Sequence, residues 1–183
     1  MVTVSFSREA FQHDMDAYHT WANEQSDATR ARFGHKLGLA YGDDPRQVLN
    51  VYFPNARVRD PAPLFVFVHG GGFRTGEPNR TADVGEALLE AGVVFVTPSY
   101  RLLPQTAFPD SADDVEQALL WILAHAADWH ADARELYVGG HSAGATLVAE
   151  VGLRPRAIAP TAIKGLMAVG GGYPGANERP RSA

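Results

Sequence analysis

Apolar residues are distributed along this chain in two distinct ways. Short unbroken runs at Leu64–Val68, Val93–Thr97, Glu135–Gly139 and Lys164–Val169 are separated by stretches in which apolar positions recur every three or four residues. The second pattern predicts helices. One runs over Thr81–Ala91, with Val84, Ala87, Leu88 and Ala91 on one face and Gly92 as its C-cap. Another runs from Ser111 to about His125, with Val115, Ala118, Leu119, Ile122 and Leu123 in one stripe and Ser111 with Asp114 as a capping pair. A third covers Ala143–Gly152. Nearer the start, Phe11, Met15, Tyr18 and Ala22 predict one or two amphipathic helices over Ser7–Thr29. Leu37–Tyr41 and Val48–Phe53 flank the turn Gly42-Asp43-Asp44-Pro45 and predict a hairpin or a pair of early strands. Unalternating runs between amphipathic helices are the pattern of parallel strands covered on both faces. The fold class is therefore α/β: a mostly parallel sheet with helices on both faces, in one domain over residues 1–183. Within it, residues 1–36 are expected as a helical, cap-like segment. Residues 173–183 show no periodicity and are expected as a disordered tail.

Composition narrows the partners. The 183 residues are 45% hydrophobic and 20% charged, with a net charge of −5, and lysine and arginine form no dense run. Such a surface does not attract a phosphate backbone, so nucleic acid is not an expected partner. There is no cysteine, which removes disulfides, a thiol nucleophile and cysteine-ligated zinc. No apolar run reaches the roughly 18 residues of a membrane span, and MVTVSFSREA lacks the basic and apolar regions of a secretory signal. The expectation is a cytoplasmic protein with no membrane partner.

Two glycine motifs carry chemistry. Gly140-His141-Ser142-Ala143-Gly144 lies between a predicted strand and a predicted helix. In that context a G-x-S-x-G string forms a sharp turn that lifts the serine Oγ off the sheet, with a helix N-terminus behind it. His69-Gly70-Gly71-Gly72-Phe73 directly follows a predicted strand, and such a loop lets backbone N–H groups approach a ligand closely. Phosphate-loop readings fail. Glu77 and Pro78 stand where a Walker-type loop needs Lys and Ser or Thr, and Thr75 replaces the third glycine of a dinucleotide loop. His13, Asp16 and His19 share one helical face but nothing nearby completes a metal site, and His125, Asp128 and His130 read as a helix end. No metal and no cofactor is expected. His141 is the variable residue of the turn, and Asp110, Asp113 and Asp114 read as capping charges.

Four collinear segments resemble the α/β-hydrolase superfamily, in particular the hormone-sensitive-lipase-like esterases and the kynurenine formamidases. They are His69–Phe73, Ser99-Tyr100-Arg101-Leu102-Leu103-Pro104, Phe108-Pro109 with Asp113-Asp114, and Gly140–Gly144. Residues 41–52 are similar to the formamidase and feruloyl-esterase side of the group. The resemblance implies Ser142 as nucleophile, the N–H groups of Gly71, Gly72 and Ala143 as oxyanion hole, and His69 as structural support of the oxyanion loop. It also implies an acid and a base after the nucleophile, yet residues 143–183 contain neither aspartate nor histidine. Lys164–Val169 would be about the sixth strand of eight, so the last strands are expected to be missing.

The function this implies is a serine hydrolase acting on small-molecule carboxylic esters (carboxylesterase type) through an acyl-enzyme on Ser142, impaired in the chain as it stands. An arylformamidase acting on N-formylkynurenine uses the same nucleophile and hole, and a non-catalytic, hydrolase-like binding protein would keep only the pocket. A fragment of a longer hydrolase, a site completed by a partner chain, and a binding protein each account for the absent acid and base. An unpaired sixth strand would also offer an edge for a homo-oligomer.

Overall fold

A computed structural model describes residues 7–153 and 162–172, without the side chains of residues 8 and 10–12. Six strands form one sheet in the order β1-β2-β4-β3-β5-β6. They are β1 Gly34–Ala40, β2 Val48–Phe53, β3 Ala62–Val68, β4 Val94–Pro98, β5 Ala131–His141 and β6 Ile163–Val169. The hairpin β1–β2 is antiparallel, and β2 joins β4 antiparallel. From there β4, β3, β5 and β6 run parallel, as the unalternating runs predict. The tail expected over 173–183 lies outside the described residues.

Side-chain parity divides the interior into two layers. Leu64, Val66 and Val68 of β3, with Val94 and Val96 of β4, pack against Val115, Leu119 and Ile122 of α3 (Phe108–His125) and Leu147 and Val148 of α4 (Ala143–Leu153). The alternate residues Phe67 and Phe95 face a smaller cluster with Phe33, Tyr52, Ala82 and Leu89. Helices therefore cover both faces of the central strands, which explains why residues 64–68 and 94–96 are unbroken apolar runs.

Two elements depart from the predicted pattern. The segment predicted as one helix over 81–91 is two 3-10 turns, Pro78–Arg80 and Asp83–Gly85, followed by the five-residue α2 Glu86–Glu90. Its buried side is Ala82, Gly85 and Leu89, while Val84 is exposed. The cause is close approach to the sheet, since any Cβ on Gly85 would run into the Phe95 ring. The first helix is one continuous element, α1 Arg8–Arg32, and of its predicted stripe Ala22 is buried while Tyr18 is exposed. The packed face instead runs through Ala22, Ser26 and Thr29. Ser26 Oγ donates to Asp83 at 2.9 Å and Thr29 Oγ1 to Glu86 at 3.0 Å, so α1 is attached to the 78–90 segment through polar side chains that a hydrophobicity pattern does not register.

Candidate functional site

Strands β3 and β5 are parallel neighbours with Val68 opposite Gly140. The glycine loop after β3 and the turn after β5 therefore leave the sheet side by side at its C-terminal edge, where open α/β sheets place their sites. Contact between the two is direct: a Cβ on Gly70 would lie 3.1 Å from Ser142 Cβ and 3.0 Å from His141 O.

Ser142 has φ 53°, in the left-handed region, which non-glycine residues occupy at a cost. The surrounding backbone holds it there. Ser142 N donates to Val169 O at 2.8 Å, and Ser142 O accepts from Thr146 N at 3.2 Å as α4 begins. The flanking glycines are required by space. A Cβ on Gly140 would sit 2.5 Å from Gly144 O, and one on Gly144 would run into the carbonyl oxygen of Val68 and lie 2.6 Å from that of His69. The result is a strand, a strained serine and a helix N-terminus pressed against β3. Ala143 opens α4, so its N–H is among those a helix leaves without an internal partner.

In the glycine loop, Gly71, Gly72 and Phe73 all have positive φ (118°, 60° and 61°). The loop's own hydrogen bonds run from Arg74 N and Thr75 N to the Gly71 carbonyl, both at 3.0 Å. They use an acceptor of the loop and not the Gly71 and Gly72 N–H donors. His69 lies beneath, 3% exposed, stacked on Tyr100 with ring centroids 4.6 Å apart. Its Nδ1 is 2.7 Å from Gly70 O. A carbonyl only accepts, so Nδ1 carries the proton and Nε2 is left as a bare lone pair, buried without a partner among the described residues. Burial, with the Arg46 charge adding to it, holds this imidazole down at about 4 against partial opposition from the Gly70 carbonyl and Glu77. At neutral pH His69 is thus uncharged, and its ring is buried against Gly70 and Tyr100. Tyr100 Oη donates to His69 O at 3.1 Å.

Outside this pair of motifs, a polar frame holds the segment 99–103. Asp114, which the Ser111/Asp114 spacing marks as a cap, is instead a buried carboxylate with 1% side-chain exposure. It accepts from Arg101 N at 2.9 Å, Arg101 Nη2 at 2.7 Å and Gln47 Nε2 at 2.8 Å. At the start of α3 the N-cap is Ala107, and Asp110 at N3 supplies the capping carboxylate: its Oδ2 accepts from Ala107 N at 3.2 Å and Thr106 Oγ1 at 3.0 Å, contacts that lower its pKa. Leu103 N donates to Phe73 O at 2.7 Å, and Phe73 meets Phe108 edge to face at 5.5 Å. Arg46, on the hairpin turn, also reaches this frame. The motifs mark neither Arg46 nor Asp114 for these roles, because their partners lie 13 to 67 residues away in sequence.

Among the described residues no side chain hydrogen-bonds Ser142 Oγ, and none gives a cluster of three or more histidine, aspartate or glutamate side chains able to hold a metal. The ring of His141 lies beside Gly70 and Gly170. No described helix is long and apolar enough to cross a membrane.

Comparison with known proteins agrees with this geometry. A family model described as the alpha/beta hydrolase fold matches residues 65–182. Probable carboxylesterase 3 of Arabidopsis thaliana is 31% identical over 148 residues, covering 74% of this chain and 47% of that protein. Esterase LipC of Mycobacterium tuberculosis is 34% identical over 126 residues, covering 67% and 30%. Among solved structures, esterase B from Lactobacillus rhamnosis superposes with a TM-score of 0.63 at 25% identity, covering 79% of this chain and 48% of that one. The chain spans less than half the length of each of these relatives.

Proposed function

Because this chain belongs to the alpha/beta hydrolase fold family, we propose that it carries the nucleophile and oxyanion hole of a carboxylic-ester hydrolase. Ser142 Oγ attacks the ester carbonyl, the Gly71, Gly72 and Ala143 N–H groups receive the developing oxyanion, the alcohol leaves, and water releases the acyl group. The observation that carries this reading is the seating of Gly70 against Ser142, with the serine in a left-handed backbone conformation. That contact supports the reading that the strained serine and the N–H groups of the adjoining loop serve one substrate. The esterase relatives support the ester as substrate class.

The proton acceptor is the missing part. Residues 143–183 contain no histidine and no aspartate, and a serine without its base keeps only about 10³–10⁴-fold rate enhancement, owed to binding and the oxyanion hole. The 183-residue polypeptide is therefore expected to turn over p-nitrophenyl acetate slowly and to accept a fluorophosphonate at Ser142 slowly. Peptide mass spectrometry locates the adduct. Labelling at any other residue, or turnover that survives Ser142→Ala, would refute the assignment.

A further inference from the structure

We propose that Arg46 is a positioning residue for the glycine loop, clamping the return limb of residues 70–76 and so fixing where Gly71 and Gly72 present their N–H groups. This rests on the reading of those groups as oxyanion donors.

Arg46 sits on the turn between β1 and β2, where its own N–H is held by Asp44 Oδ1 at 2.8 Å. From there the guanidinium reaches two other segments. Nε donates to Tyr100 O at 3.0 Å, and Nη2 donates to Gly76 O at 2.8 Å and Ser99 Oγ at 2.9 Å. Nη1 lies 3.3 Å from Glu77 Oε1. Three of these four acceptors are uncharged oxygens fixed by the fold, and the side chain is only 28% exposed. The carboxylate arm is the most exposed contact and contributes least. An array of acceptors spread over two segments suits the rigid planar fork of arginine and not the single ammonium of lysine.

What the fork grips is the point where the loop closes on itself. Gly76 has φ 117° and lies so close beneath His69 that a Cβ would run into the imidazole Nδ1 and sit 2.6 Å from Gly70 O. Gly76, the His69 ring and the Gly70 carbonyl thus form one stack, and Gly70 is in turn seated on Ser142. Drawing Gly76 toward Ser99 and Tyr100 keeps that stack closed. Release of Gly76 frees the limb that carries Arg74 N and Thr75 N, whose bonds to Gly71 O set the curl of the loop. The Arg46 charge adds a second effect, since it disfavours a proton on His69. A protonated ring would carry a second N–H at Nε2, to which no described residue offers an acceptor.

The test uses the full 183-residue chain as wild type, Arg46→Ala and Arg46→Lys, with hydrogen–deuterium exchange of peptides over 70–76, β3 and β5 and with fluorophosphonate labelling of Ser142. In Arg46→Ala, exchange over 70–76 rises by about tenfold or more while the β3 and β5 peptides stay within about twofold. Labelling falls by about tenfold, Arg46→Lys recovers little of it, and millimolar methylguanidinium restores labelling of Arg46→Ala. Exchange over 70–76 that stays unchanged, or rises equally in β3 and β5, overturns the clamp. If Arg46→Ala does not fold, Arg46→Lys carries the same comparison. The two readings fail separately. A wild-type chain that never labels at Ser142 overturns the proposed chemistry, and the exchange data still decide the clamp.

Discussion

The two flanks of Ser142 are built to different standards. On the β3 side, the glycine loop is stacked on a buried histidine, backed by Tyr100, and framed by Arg46, Arg101 and the buried Asp114. On the β6 side, the described contacts to the turn and α4 include two hydrogen bonds, Ser142 N to Val169 O and Thr146 Oγ1 to Gly172 O. Along β6 itself, Leu166, Met167 and Val169 are 43–49% exposed. The opposite edge of the sheet, β1, is also exposed, but it carries Lys36 and a register irregularity between Lys36 and Leu39, the usual devices against pairing with another chain. The part of the site that would polarise a carbonyl is thus fixed by groups packed in the interior, whereas the β6 flank presents apolar side chains to its surroundings.

Glycine replacement gives the sharpest contrast. Gly144→Ala forces a methyl into the Val68 carbonyl and should cost about 3 kcal/mol or more, or prevent folding. Gly172→Ala, with nothing within 4 Å of its new carbon, should stay within about 0.5 kcal/mol in the same urea titration. Equal costs would erase the distinction between the flanks. Next in size is Asp114→Ala. It strands the Arg101 guanidinium and the Gln47 amide and is expected to cost about 3 kcal/mol, moderated by the partial exposure of Arg101.

The same contrast should appear in pH dependence. His69 is neutral when folded down to about 4, whereas an unfolded histidine takes its proton near 6.5. Above pH 6.5 the group contributes no slope. As pH falls from 6.5 toward 4 the unfolded chain binds the extra proton, and stability drops by roughly 2–3 kcal/mol. Urea melts at pH 7 and 4.5 on wild type and His69→Phe isolate this part from the carboxylates, and an identical loss in both would remove His69 from the account. A small effect on stability is also expected along β6 on the other flank. Leu166→Lys with Met167→Lys should change stability by less than about 1 kcal/mol while lowering self-association in sedimentation velocity. A monomeric wild type would remove the oligomer expected from that edge.

The motifs were legible because a short spacing of glycines records the close approaches. Gly140 meets Gly144 inside one strand–turn–helix unit, Gly144 seats that unit on the Val68 and His69 carbonyls of β3, and the unbroken apolar runs of β3 and β4 follow from burial on both faces. Where the sequence misled, the deciding partner was distant. Ser111-x-x-Asp114 has capping spacing, but the carboxylate is claimed by Arg101 and Gln47, and the helix begins three residues earlier, at Phe108, behind an Ala107 N-cap whose N–H is taken by Asp110. The 81–91 segment shows a helical stripe, yet Gly85 against Phe95 sets a different face. Arg46 gives no sequence signal at all, since most of its acceptors are backbone or hydroxyl oxygens that any residue or serine could supply.

Ser142 and Phe73 share an unusual property: each is a residue with a Cβ held at a φ that glycine adopts freely, 53° and 61°. At such positions the amino acid that best suits the backbone and the one that can do something for a ligand are different molecules. A library selected only for thermal resistance should drift toward glycine or asparagine at both sites, and a library selected for acyl transfer should hold the serine. The pair is a built-in reporter of what a population of these chains is being asked to do.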